Sequence, residues 1–270
     1  ATEEEVQELR DEMGLNDPFL VRYANYLVGL CHGDLGTSYV TGLPVTEEIM
    51  ARLPVTARIA ALSCIFSVLI GIPVGILSAV KQYSIADNIV TVLALLGITI
   101  PSFWLAMMLI LLFSVTLRWL PSSGAYSVGH ADDVGDRIVH LILPMSVVVL
   151  SHLWYYAYLV RNRLVEELRA DYVLLARSEG MGRAHIVLRQ CLRNVLPSYL
   201  SLMAISVPHV MGGTYIVEAV FSYPGLGTLS YESARYKDYN LLMVLCLLSG
   251  AVVILSLIHI SEPTRRVVIS

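Results

Sequence analysis

Five apolar runs constrain this chain more than any other feature. They are Ile59–Val80, Asn88–Leu117, Ile138–Val160, Leu196–Val217 and Asn240–Ile260. Crossing ~30 Å of hydrocarbon takes about 20 helical residues, and each run is that long or longer. Inside a bilayer no water satisfies backbone N–H and C=O groups, so a crossing segment must be a helix or part of a closed barrel. Long continuous apolar runs favour helices. The expected fold class is an all-α polytopic membrane protein with five spans. A composition of 56% hydrophobic and 15% charged residues agrees with it.

Two runs carry local features. Asn88–Leu117 is uncharged and broken by Pro101. It exceeds a straight crossing, so it predicts tilt, a kink or an interfacial start. Ile59–Val80 contains Gly71-Ile72-Pro73-Val74-Gly75. Small residues at this spacing let helices approach closely, although a lone match also arises by chance.

The stretch Arg161–Pro197 lies between two apolar runs and holds seven of the chain's eighteen basic residues. Basic loops between spans stay cytoplasmic. Alternation then puts 81–87 and the tail after 260 inside, and 1–58, 118–137 and 218–239 outside. The loop is patterned. Leu164, Leu168, Tyr172 and Leu175 predict a helix over Leu164–Ala176 with one apolar stripe. Gly180 and Gly182 predict a turn. Ile186, Val187, Cys191, Leu192 and Val195 predict a second helix with Arg189 and Arg193 exposed, and Pro197 is placed near the start of the next run.

The expected organisation is an extracytoplasmic region 1–58, a transmembrane domain 59–260 with a cytoplasmic loop 161–196, and an atypical tail 261–270. Thr2-Glu3-Glu4-Glu5 resembles a helix start. Translocating 1–58 calls for a further span upstream, so six spans are expected in the intact chain.

Several chemistries are disfavoured. The only lysines are Lys81 and Lys237, neither follows a glycine, and so no phosphate loop of the Walker type is present. No basic patch with interleaved aromatics marks a nucleic-acid surface. Cys31, Cys64, Cys191 and Cys246 are too scattered for a C-x-x-C motif, a disulfide framework or a zinc site. Asp132, Asp133 and Asp136 are close in sequence, but Gly129 and Gly135 suggest a flexible outer loop, not a catalytic pair.

His140, His152 and His209, with Met145, Met203 and Met211, allow metal ligation, but helix packing or pathway lining explains the same residues. His152 and His209 are the candidates for lining a pathway. Cys31-His32 is a weak candidate for an outer metal site. Glu218 is placed at the membrane boundary, with a cavity-facing role as the alternative. Pro224-Gly225-Leu226-Gly227 predicts a tight turn. An ion-coupled transporter would carry mid-span charges and internal repeats, and an intramembrane enzyme would carry a paired catalytic set; neither pattern is evident.

Asp171-Tyr172, Ala176-Arg177, Gly180, Arg193-Asn194 and Pro197 together resemble the cytoplasmic EAA loop of ABC-importer permeases. The set continues through Gly33-Asp34-Leu35-Gly36, Pro44-Val45, Arg52-Leu53-Pro54, Pro101-Ser102-Phe103-Trp104 and Phe221-Ser222-Tyr223-Pro224-Gly225. The chain is similar to the first permease subunit of dipeptide, oligopeptide or nickel importers, without the family's first membrane helix and usual C-terminal end. Leu174 and Leu175 stand where the general motif has Glu and Ala.

The resemblance implies a type I importer helical bundle working by alternating access. It implies a second homologous permease, two cytosolic ATPases, an extracytoplasmic solute-binding protein and an inner-membrane location. It also implies that Asp171–Met181 docks on an ATPase, with Gly180 permitting the turn and Arg177 and Glu179 available for ion pairs. Peptides are the expected cargo, with nickel or a metal chelate as the alternative. No cofactor or bond chemistry is expected of the chain itself.

Overall fold

A computed structural model of the chain describes residues 16–268 together with Gln7 and Arg10, with side chains described except at 198, 200, 202–213 and 256–268. The helix start expected at Thr2–Glu5 lies outside the described residues. The described elements are helical, apart from one isolated bridge between Thr37 and Pro44.

Helix α1 is Phe19–Cys31 and begins directly after Pro18. Helix α2, Val45–Val80, runs unbroken through Pro54 and Pro73, so no break marks the boundary expected at 58/59. Helix α3, Ile85–Thr99, is capped by the Ser84 hydroxyl, which accepts from the Asp87 N–H. Helix α4, Ser102–Leu109, passes into a π-helical stretch, Ile110–Thr116.

Helix α5, Val134–Glu167, starts at the Asp133 carboxylate, which accepts from the N–H groups of Gly135 and Asp136. Helix α6 is Asp171–Ser178. A single turn, Arg183–His185, and a π-helical stretch, Ile186–Cys191, lead into α7, Leu192–Val220. Helix α8 is Leu226–Arg235 and α9 is Tyr239–Val268. The tail expected to be discontinuous prolongs α9 as far as Val268.

Helices α2 and α5 are each long and apolar enough to cross a membrane. The expected second span is not one helix. Helices α3 and α4 with its π stretch meet at 106°, far sharper than a tilt or kink. The cause is local. Ile100 precedes Pro101, so its backbone is pushed out of the helical region, and it is extended at φ −76, ψ 120. The fourth run lies within α7, and the described apolar part of the fifth is Tyr239–Leu255.

The bundle is organised around α2 against α5. Gly71 and Gly75 are both buried and both face α5. A Cβ on Gly75 would stand 2.6 Å from the Ala157 carbonyl oxygen and 2.7 Å from Val160 Cβ, whereas one on Gly71 would find ordinary contacts at 3.6 Å. The small-xxx-small spacing is therefore a packing motif. At one end of the bundle, Val45 and Ile49 of α2 pack with Leu226 and Leu229 of α8 and Leu241 and Val244 of α9. At the other, Ala79 of α2 meets Leu164 of α5, Val173 and Ala176 of α6, and the π stretch before α7.

Gly75→Ala is expected to destabilise the bundle by about 1–3 kcal/mol through overpacking, while Gly71→Ala stays near wild type. Thermal unfolding in detergent distinguishes the two, and equal effects would contradict the geometry.

Candidate functional site

The expected cytoplasmic loop folds into a compact unit at one end of the bundle. The helix anticipated over Leu164–Ala176 is two helices. Leu164 belongs to α5, which ends at Glu167, and α6 restarts at Asp171 after an extended Ala170. The restart shifts the apolar face. Val173 and Ala176 are buried, while Leu174 and Leu175 stand 71% and 60% exposed. The stripe expected at Tyr172 and Leu175 is thus out of phase: Tyr172 is half-buried and Leu175 points away from the bundle.

The end of α6 is a Schellman motif. Gly180 N–H donates to Arg177 O at 3.0 Å, and Met181 N–H donates to Ala176 O at 3.1 Å. Gly180 sits at φ +81, which favours glycine. The second half of the loop is placed as expected, with Ile186, Val187, Cys191 and Val195 buried and Arg189 and Arg193 exposed. Pro197 is not at a helix start. It lies inside α7 because the preceding turn and π stretch already carry helical backbone.

Three segments of this unit meet at Glu167. Tyr172 O–H donates to the Glu167 carboxylate, and Asn194 Nδ2 donates to Glu167 Oε2 at 3.1 Å and to the Tyr172 hydroxyl at 3.3 Å. Burial, followed by the bond to Glu167, raises the Tyr172 phenol above its ordinary range. Asp171, Arg177, Glu179 and Arg193 are exposed and form no ion pair among the described residues. The loop therefore splits its polar groups. Tyr172 and Asn194 bind it together, while Asp171, Arg177, Glu179, Leu174 and Leu175 face outward.

Sequence reasoning missed the anchors beneath the loop. Arg161 of α5 grips Asp87 of α3 with two bonds of 2.9 Å, and Arg183 donates to the Val80 carbonyl at the end of α2. Opposite charges at the same end of neighbouring runs were the available signal.

At the opposite end, Glu218 corrects the expectation of a boundary residue. It is fully buried. Its Oε1 accepts from Thr56 Oγ1 at 2.6 Å, and its Oε2 accepts from the N–H groups of Gly227 at 2.7 Å and Thr228 at 3.3 Å. It is a carboxylate set at the N-terminus of α8, where unsatisfied N–H groups favour an anion. The glycines of the expected tight turn serve close approach. A Cβ on Gly225 would lie 2.3 Å from Glu218 Cδ, and one on Gly227 2.4 Å from Tyr215 Cα. A cavity of about 470 Å³ opens beside this bracket, lined in part by Thr56, Tyr215, Gly227, Tyr231 and Leu245.

The segment before α2 is tied to the same end. Asn240 Nδ2 donates to the carbonyls of Leu35 and Thr37, and Asp238 accepts from Ser38 Oγ. Gly36 passes directly over Asn240, where a Cβ would meet Nδ2 at 2.4 Å. The loop before α5 is ordered and not free: Asp136 accepts from the Ser127 N–H and hydroxyl.

The described histidine side chains do not converge. His152 Nδ1 lies 2.8 Å from the Val148 carbonyl of its own helix, and its ring stacks on Tyr156 at 6.2 Å. His140 Nδ1 lies 2.9 Å from Asp136 O. The side chains of His209, Met203 and Met211 lie outside the described residues. Cys31 and His32 are exposed. Among the described residues, no group of three or more His, Cys, Asp or Glu side chains is placed to hold a metal ion.

Residues 71–267 match the model of a family described as the binding-protein-dependent transport system inner membrane component. The chain belongs to this family. It is 36% identical over 245 residues to the oligopeptide transport system permease protein AppB of Bacillus subtilis (strain 168), covering 90% of this chain and 78% of that one. It is 33% identical over 257 residues to the dipeptide transport system permease protein DppB of Alkalihalophilus pseudofirmus, covering 88% and 77%. Its fold is similar to a chain of the MetNI methionine ABC transporter solved in inward-facing conformations, with a TM-score of 0.65, 20% identity, and coverage of 82% of this chain and 97% of that one. The chain is thus an inner-membrane permease subunit of an ABC importer with a type I fold. It is a transport subunit rather than an enzyme, and ATP hydrolysis belongs to a separate subunit.

Glu218→Ala is expected to destabilise the permease by about 3 kcal/mol or more, because it strands one hydroxyl and two N–H groups in a buried site. Glu218→Gln keeps the acceptor for Thr56 and is expected to cost less. Thermal unfolding of both variants measures the difference, and equal losses would contradict the bracket.

Proposed function

We propose that the chain forms half of the translocation pathway of a peptide importer, and that α6 is its coupling helix. The observation that carries this reading is the two-sided build of α6. Val173 and Ala176 fasten it to the ends of α2 and α5, while Leu174 and Leu175 present bare apolar surface. Exposed leucines cost solubility unless a partner covers them. A short helix with two leucines outward, flanked by Asp171, Arg177 and Glu179, fits a groove on a cytosolic ATPase.

In this reading the basic loop is cytoplasmic, and the α8 end with residues 16–44 is extracytoplasmic. A second homologous permease completes the pathway. Two ATPases drive it and a solute-binding protein delivers cargo. ATP binding draws the two coupling helices together, and because each is fastened to its spans the motion alternates access between the two sides. Peptides are the proposed cargo, in line with the oligopeptide and dipeptide systems of the relatives.

Leu174→Glu with Leu175→Glu is expected to weaken ATPase association roughly thirty-fold or more, since a buried interface anchor contributes about 2 kcal/mol or above. The melting temperature stays unchanged, because neither side chain packs within the chain. Co-purification of the permease with its ATPases, alongside ATP-dependent peptide uptake in proteoliposomes, checks this. Unchanged ATPase association in the double variant would overturn the reading of α6 as the coupling helix.

A further inference from the structure

We propose that the Asp87–Arg161 pair is a positioning clamp for energy coupling. It fixes the α2–α3 turn to α5, so that a push on α6 moves three helices as one body. The inference rests on α6 being the coupling helix.

The geometry is that of a fork. Arg161 Nε donates to Asp87 Oδ1 and Nη2 to Oδ2, both at 2.9 Å. The same carboxylate accepts from Ser78 Oγ in the last turn of α2 and from the Tyr83 N–H in the turn before α3. Asp87 is only 2% exposed. One buried carboxylate therefore joins the end of α2, the α2–α3 turn and α5. Arg161 lies less than two helical turns before α5 ends at Glu167. From the far half of the loop, Arg183 holds the Val80 carbonyl.

The apolar contacts at this end hold the helices together but do not index them. Ala79, Leu164, Val173 and Ile186 pack side by side, and such attraction is non-directional. Helices joined only this way can slide or roll under load. A planar guanidinium on a carboxylate has one favourable orientation. Buried pairs give little net stability over apolar replacements and are better suited to fixing geometry. The clamp also sits where a stroke must divide. Helix α3 leads from Asp87 to the 106° corner, beyond which α4 packs against α5 and α7. Without the fork, motion of α6 reaches α5 directly, and α3 and α4 follow only through their non-directional packing on α5.

The test uses the complete transporter, with its second permease, ATPases and binding protein, in proteoliposomes. Uptake of a radiolabelled peptide carried by that binding protein and ATP hydrolysis are read on the same vesicles. Arg161→Lys keeps the charge and loses the fork. Asp87→Leu with Arg161→Met removes both charges and leaves neither unpaired. In both, peptide taken up per ATP hydrolysed is expected to fall at least about five-fold, with ATPase recruitment and hydrolysis within about two-fold of wild type.

Proportional loss of uptake and hydrolysis, a wild-type ratio in either assembled variant, or failure of the doubly apolar variant to assemble would overturn the clamp. Failure of the coupling-helix reading looks different, because Leu174→Glu with Leu175→Glu would then leave ATPase recruitment and peptide uptake at wild-type levels.

Discussion

Burying a carboxylate among helices costs several kcal/mol unless hydrogen bonds replace the lost water. Among the described residues, Asp87, Glu218 and Asp238 are buried carboxylates met by donors from more than one segment. Asp87 takes donors from α2, the following turn and α5. Glu218 of α7 takes them from α2 and the start of α8. Asp238 takes them from the segment before α2 and from the start of α9. Lipid tails are as apolar as leucine, so burial alone gives helices in a bilayer little reason to choose one neighbour or one rotation. Directed polar contacts supply that choice. Here they stand at the two ends of the bundle and leave its middle to close packing.

The middle depends on small residues. Gly75 brings α2 within contact of the Ala157 carbonyl, and Gly71 follows one turn earlier. That approach makes the long pair α2 and α5 a rigid spine. Because α5 continues beyond its apolar run to Glu167, the spine projects past the bundle and carries α6 three residues later. Helix α6 is thus attached to this spine through a short turn that ends at the extended Ala170.

The apolar runs were legible because a bilayer tolerates few alternatives. The Gly180 turn and the buried face of Ile186–Val195 were legible because local backbone and periodicity set them. The phase of α6 was not. Periodicity assumed one helix from Leu164, but the break at Ala170 rotated the register, so that Leu174 and Leu175 faced out and Val173 and Ala176 in. Pro101 announced a bend, but not the 106° at which the two helices meet. Glu218 had the widest gap. From sequence it was an acid at the end of an apolar run, and its role required Thr56, 162 residues away in the chain, to be placed beside it. Gly225 and Gly227 read as a turn because their partners, Glu218 and Tyr215, lie a full element upstream.

The departure from the general EAA pattern at Leu174 and Leu175 acquires a physical meaning in this setting. Glu and Ala there would make the outward face of α6 polar and small. Two leucines instead make it an apolar knob with charge confined to its flanks at Asp171, Arg177 and Glu179. A knob of this kind gains most of its affinity from burial, which depends weakly on salt, while the flanking charges govern encounter and orientation and are screened beyond about 8–10 Å. ATPase recruitment by this permease should therefore persist at ionic strengths that slow its association. The partner groove is correspondingly expected to be lined by apolar side chains with charges only at its rim.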